Sequence, residues 1–168
     1  MPRAFAYSAD SPAGVEQILS AFGDNDYWQA RLAAAGNDTA RLDALDVDSR
    51  GAVSIVVKAS VLRDHLPKVV AKIGRGDLET THCETWTPID RGQVRGEIVV
   101  AMRGVPLSGR GEALLAPAQH GSRLQVRGTV AVTVPLIGGR IEGLISSQLG
   151  TGITELQRFT AEWIAGNR

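Results

Sequence analysis

A chain of 168 residues with 18 basic and 18 acidic side chains carries no formal net charge, which argues against a dedicated nucleic-acid binder. Hydrophobic residues at 43% and charged ones at 21% argue against disorder and suffice for a core, so one domain over residues 1–168 is expected. Cys83 is the only cysteine, which excludes an internal disulfide or a multi-cysteine zinc site, and no apolar run approaches the roughly 18 residues of a membrane span.

Arg3 to Ser8 alternates and predicts a first strand. Asp10-Ser11-Pro12 predicts a helix start, with Val15, Ile18, Leu19 and Phe22 at helical spacing and Gly23 as the stop. Asp24-Asn25 caps a second short helix through Tyr27, Trp28 and Leu32, ending at Gly36. From about residue 40 the period becomes two. Leu42 to Val47 is a weak strand, and Asp48 to Gly51 a hairpin turn. Val53, Ile55, Val57, Ala59 and Val61 then share one face of the next strand. Leu62 to Gly76 places Leu62, Leu66, Val69, Val70 and Ile73 on one helical face among basic residues. It reads either as a core-packed connector or as a pocket lid or transient membrane-surface contact. Leu78 to Ile89 is a strand, followed by Val94, Gly96, Ile98, Val100 and Met102 in alternation. Arg110 to Ala116 and then Leu124 to Val134 complete the set, with Leu115 and Val130 inward and a turn at Pro117 to Gly121. One-sided strands joined by tight turns require an antiparallel sheet with one face covered.

The cover is the last segment, where helical spacing returns after Gly138-Gly139 and lasts to about Ala165. Ile141, Leu144, Ile145, Leu149, Ile153, Leu156, Phe159 or Thr160, Trp163 and Ile164 form its stripe, expected to be buried along nearly its whole length. Gly150-Thr151-Gly152 is a candidate kink between a closing end, carrying Leu156 and Trp163, and a pocket end, carrying Ile145 and Leu149.

This order of strand, two short helices, six strands and long helix resembles the helix-grip fold of the START/SRPBCC superfamily, which includes the birch-pollen-allergen-like proteins. The phrases Phe5-Ala6-Tyr7-Ser8-Ala9-Asp10-Ser11-Pro12, Glu84-Thr85-Trp86 and Gln157-Arg158-Phe159-Thr160-Ala161-Glu162-Trp163-Ile164 look like the bacterial family called domain of unknown function 2505. The resemblance implies an α+β fold: a seven-stranded antiparallel curved sheet wrapped around the C-terminal helix, with a pocket between them. It implies no shared catalytic residues, because the scaffold hosts carriers, sensors and enzymes.

A curved sheet gripping a helix leaves a cavity unless large side chains fill it. Only eight residues are aromatic, while Gly96, Gly111, Ala113 and Gly128 fall at inward strand positions. Either these leave room for a ligand, or they are bulges and close contacts that let the sheet curl. The expected lining is Val57, Trp86, Ile98, Val100, Met102, Leu115 and Val130 from the strands, with Ile141, Ile145, Leu149 and Ile153 from the helix. The strand from Leu78 holds a conflict. If Trp86 points inward, alternation carries His82 and Glu84 inward as well. They then orient a ligand's polar group or act as acid and base. Otherwise a bulge resets the phase, or solvated strand ends leave both on the surface.

His65, His82 and His120 have no ligand spacing, so neither a metal nor another cofactor is expected, and no catalytic residue is assigned. The expected partner is a small hydrophobic molecule; the alternatives are a cyclase- or hydratase-type enzyme acting on one, or a protein-interaction module. The start has no apolar signal segment, so a cytoplasmic location is expected.

Overall fold

The computed structural model describes residues 2–36, 38–61 and 78–167. The basic segment Leu62 to Gly76 lies outside the described residues. Seven strands, β1 (Arg3–Ser11), β2 (Arg41–Val47), β3 (Val53–Val61), β4 (Leu78–Pro88), β5 (Val94–Arg103), β6 (Leu107–Ala118) and β7 (Gly121–Val132), form one sheet. Its order is β1-β7-β6-β5-β4-β3-β2, and every pairing is antiparallel. Helices α1 (Val15–Phe22) and α2 (Asn25–Ala34) follow β1, and α3 (Gly138–Gly166) closes the chain and packs on the curved sheet.

Local chemistry explains most boundaries. Asp48 Oδ1 accepts the backbone N–H groups of Arg50 and Ala52 at 2.8 and 2.9 Å, shaping the β2–β3 turn. Asp24 caps α2 by accepting the Asp26 N–H at 2.8 Å. Two boundaries differ from the sequence reading. The signal at Asp10-Ser11-Pro12 does not start α1, because β1 stays paired with β7 as far as Ser11 opposite Ser122. Asp10 instead bonds Arg123 at 2.7 Å, and α1 begins at Val15, where Gln17 Oε1 accepts the Gly14 N–H at 2.9 Å. Strand β6 starts at Leu107, ahead of Arg110, since pairing with β5 and β7 overrides the weak strand preference of Ser108 and Gly109.

The core is divided. Six of the eight aromatic side chains gather at one end of the molecule, linked through Phe22 and Tyr27. Phe22 lies 4.9 Å from Trp86 and 6.3 Å from Trp28, and Tyr27 5.4 Å from Trp163 and 6.0 Å from Phe159, centroid to centroid. A smaller cluster at the start of α3 joins Ile141 and Val132 to Leu107, Val134, Ile137 and Ile145. Glu142, buried beside it, accepts the Val132 N–H at 2.9 Å and ties the helix to the end of β7.

Helix α3 is uninterrupted through Gly150-Thr151-Gly152, and its stripe is not buried throughout. Ile141, Thr160 and Ile164 are buried, but Ile145, Leu149, Ile153, Leu156, Phe159 and Trp163 are half-buried and Leu144 is exposed. The edge buried instead includes Glu142, Ser146 and Gln157. The helix is seated on β1 around Ser146 and Gly150, where the Tyr7 hydroxyl donates to the Ser146 carbonyl, while Ile145, Leu149, Ile153 and Leu156 face the space over β4 to β7.

Candidate functional site

Between the two packed clusters lies a cavity of about 410 Å³. Its floor comes from β4 to β7 and its roof from α3, with Phe22 and Trp86 at the aromatic end and Leu107 and Ile145 toward the other. Nine of the thirteen residues expected from sequence line it: His82, Glu84, Trp86, Ile98, Val100, Val130, Ile145, Leu149 and Ile153. Four stand elsewhere. Ile141 is spent in the small cluster with Val132, and Leu115 is buried in the aromatic one. Val57 is one strand too far out, on β3, packed beside the aromatic cluster. Met102 is half-buried near the end of β5, where Leu107 across the pair supplies the lining instead.

The inward glycines divide between the two readings. Gly96 makes no empty space: a Cβ there would lie 2.5 Å from Trp86 Cζ3, so the indole occupies that volume. Gly128 is a close-approach site against the Gly111 and Arg110 backbone. Gly109 and Gly111 do border the cavity.

On β4, Trp86 is buried against Phe22, and no bulge interrupts the pairing from Leu78 to Trp86. Alternation therefore carries Glu84 and His82 inward with it. Glu84, only 4% exposed, collects three donors. Trp86 Nε1 donates to Oε2 at 2.7 Å, while His82 Nε2 and Arg31 Nη2 lie 2.6 and 3.4 Å from Oε1. Burial alone would raise this carboxyl. The Arg31 charge, the hydrogen bond and charge of His82, and the Trp86 N–H outweigh burial and hold it at about 2. The site thus contains a fixed carboxylate at the edge of a largely apolar chamber.

Arg31 was not among the residues singled out from sequence. It lies on α2, whose Tyr27 and Trp28 enter the core but whose apolar residues follow no one-sided helical period, so no pattern marks it. Its guanidinium carbon stands 4.4 Å over the Trp28 ring, next to the Glu84 pair. Gln157, also unanticipated, lines the cavity from α3 at 3% exposure. Arg31 Nη1 and Gln157 Nε2 are buried and have no hydrogen-bonding partner among the described residues.

A family model described as "Protein of unknown function (DUF2505)" matches residues 6–164. The uncharacterized protein Rv0481c of Mycobacterium tuberculosis is 38% identical over 173 residues, covering 99% of each chain. Among solved structures, norcoclaurine synthase from Thalictrum flavum, in complex with dopamine and hydroxybenzaldehyde, superposes with a TM-score of 0.55 at 8% identity. That match covers 100% of this chain and 89% of the synthase. A START superfamily protein from Mycobacterium smegmatis gives a TM-score of 0.50 at 12% identity, covering 98% and 99%. At these identities the two structures establish the shared fold.

Proposed function

The chain belongs to the DUF2505 family, and on its START-like scaffold we propose that it binds and carries a small hydrophobic molecule in the cavity between the sheet and α3. The observation that carries this reading is the cavity's position between two packed clusters, with mostly apolar side chains around a volume of about 410 Å³. Pockets for drug-sized ligands span about 300–1,000 Å³. Norcoclaurine synthase, on the same fold, is in complex with molecules of modest size, dopamine and hydroxybenzaldehyde. A cytoplasmic carrier fits a chain whose described helices include none long and apolar enough to cross a membrane.

Native mass spectrometry and solvent extraction of the purified protein test the reading. A bound apolar molecule at near-stoichiometric amount is expected. Protein that is ligand-free and gains no thermal stability from any member of an apolar compound panel would overturn it.

A second reading has one specific observation behind it. His82 lies within 2.6 Å of Glu84 on the cavity wall, the arrangement of a base oriented by a carboxylate. In that reading the bound molecule undergoes proton transfer at His82. Incubating the extracted molecule with fresh protein separates the two: an isomerised or mass-shifted product abolished by His82→Ala favours the enzyme, and unchanged ligand favours the carrier.

A further inference from the structure

The two polar residues on the inward face of β4 are not equivalent. Glu84 is 4% exposed, whereas the His82 side chain is 31% exposed and forms part of the cavity lining. The bond between them fixes what His82 offers. Glu84 is held at about 2, so at neutral pH it is a carboxylate and can only accept. The proton in their 2.6 Å contact therefore sits on His82 Nε2. In the neutral imidazole this leaves Nδ1 bare, an acceptor with a lone pair and no proton. The two nitrogens lie on divergent sides of the ring, so Nδ1 faces away from Glu84.

The neighbouring side chains on that face supply no donor. Val57 and Val100 flank His82 across the strand pairs, and their side chains carry none. Thr80, the next inward residue along β4, gives its hydroxyl proton to the Ala59 carbonyl at 3.3 Å. His82 Nδ1 has no hydrogen-bonding partner among the described residues, and unlike Arg31 Nη1 and Gln157 Nε2 it is not sealed from the surface. The cavity is itself open at α3, where its lining residues Gln148 and Gly152 are exposed. We propose that the bound molecule is apolar and carries a hydroxyl group, phenol or alcohol, that donates its proton to His82 Nδ1. This rests on the reading of the cavity as a binding site and specifies what it selects. A hydrocarbon, ketone or ether brings no proton to Nδ1, and a carboxylate adds a second negative charge beside Glu84.

Naphthol, methylnaphthalene and methoxynaphthalene, substituted at the same ring position, test it by calorimetric titration of the full chain at pH 8. Methyl matches hydroxyl in size, and methoxy keeps the oxygen without the proton. Naphthol is expected to bind roughly three- to tenfold more tightly than either. In His82→Phe, which keeps a flat ring, that preference should vanish while methylnaphthalene binds undiminished, which also reports an intact pocket. Nitrogen-15 NMR of the wild-type protein needs no variant to fold. The His82 ring should show a protonated Nε2 and a bare Nδ1, and the Nδ1 signal should move upfield with naphthol but not with the other two. Naphthol binding no tighter than methylnaphthalene, a preference that survives in His82→Phe, or a proton on Nδ1 would overturn the inference while leaving the binding function standing. Failure of all three probes to bind would overturn both.

Discussion

Removing the Glu84 carboxylate would leave the Arg31 guanidinium, 18% exposed, beside the core without its anion. Breaking a buried pair on one side typically costs about 3–5 kcal/mol, so Glu84→Ala should lower the urea midpoint strongly. The pair also predicts an acid response. The folded carboxyl sits at about 2, below its ordinary 4.5, so its contribution is complete above pH 4.5 and disappears as pH falls toward 2. Urea melts between pH 6 and pH 2.5 should show this loss in the wild type and a shallower one in Glu84→Gln. At Gly96, a methyl group would meet the Trp86 ring, which the Glu84 bond holds in place. Gly96→Ala should therefore destabilise by about 1–3 kcal/mol and alter tryptophan fluorescence.

At the scale of elements, α3 offers a paired test. A Cβ on Gly150 would stand 2.7 Å from Tyr7 Cε1, whereas one on Gly152 meets nothing within 4 Å among the described residues. Gly150→Ala should thus disturb the seat of α3 on β1 and lower the melting temperature. Gly152→Ala keeps only the gain in helix propensity, up to about 1 kcal/mol, and should raise it. The division of the helix also moves from where periodicity placed it. Leu156 lines the cavity together with Ile145 and Leu149, and the closing contacts begin at Phe159 and Thr160. Ile164→Ala, at a buried position, should cost about 2–5 kcal/mol, and Ile145→Ala and Leu156→Ala less, because the cavity already deprives them of partners on one side. Thermal melts of the three variants check the order.

At the scale of the whole molecule, a ligand that fills the gap between the two clusters stabilises only the folded state. At a free concentration of 100 times its Kd, a single ligand adds about 2.7 kcal/mol. For a chain of this size that corresponds to a rise in Tm of roughly 5–10 °C. Differential scanning calorimetry with the molecule extracted from the purified protein should show it. The seven strands and α3 position the chamber, while α1 and α2 close the aromatic end and deliver Arg31 to it.

The order of elements, the antiparallel sheet and the inward faces of β5 and β7 were legible in the sequence by itself. Each is a short-range pattern: Leu124, Val126, Val130 and Val132 alternate with polar residues whatever they meet. Periodicity says which residues share a face, but not what that face touches. Only the tertiary structure decided that Trp86 packs on Phe22, and so that His82 and Glu84 turn inward together. It also decided how α3 is rotated on the sheet, so that Gln157 is buried while Leu144 is not. Arg31 was illegible for the same reason. Its partner Glu84 is 53 residues away, and no local pattern of α2 records an acceptor supplied by another element. The cavity is the volume left between clusters built from distant segments, so it exists only once sheet and helix have closed on each other.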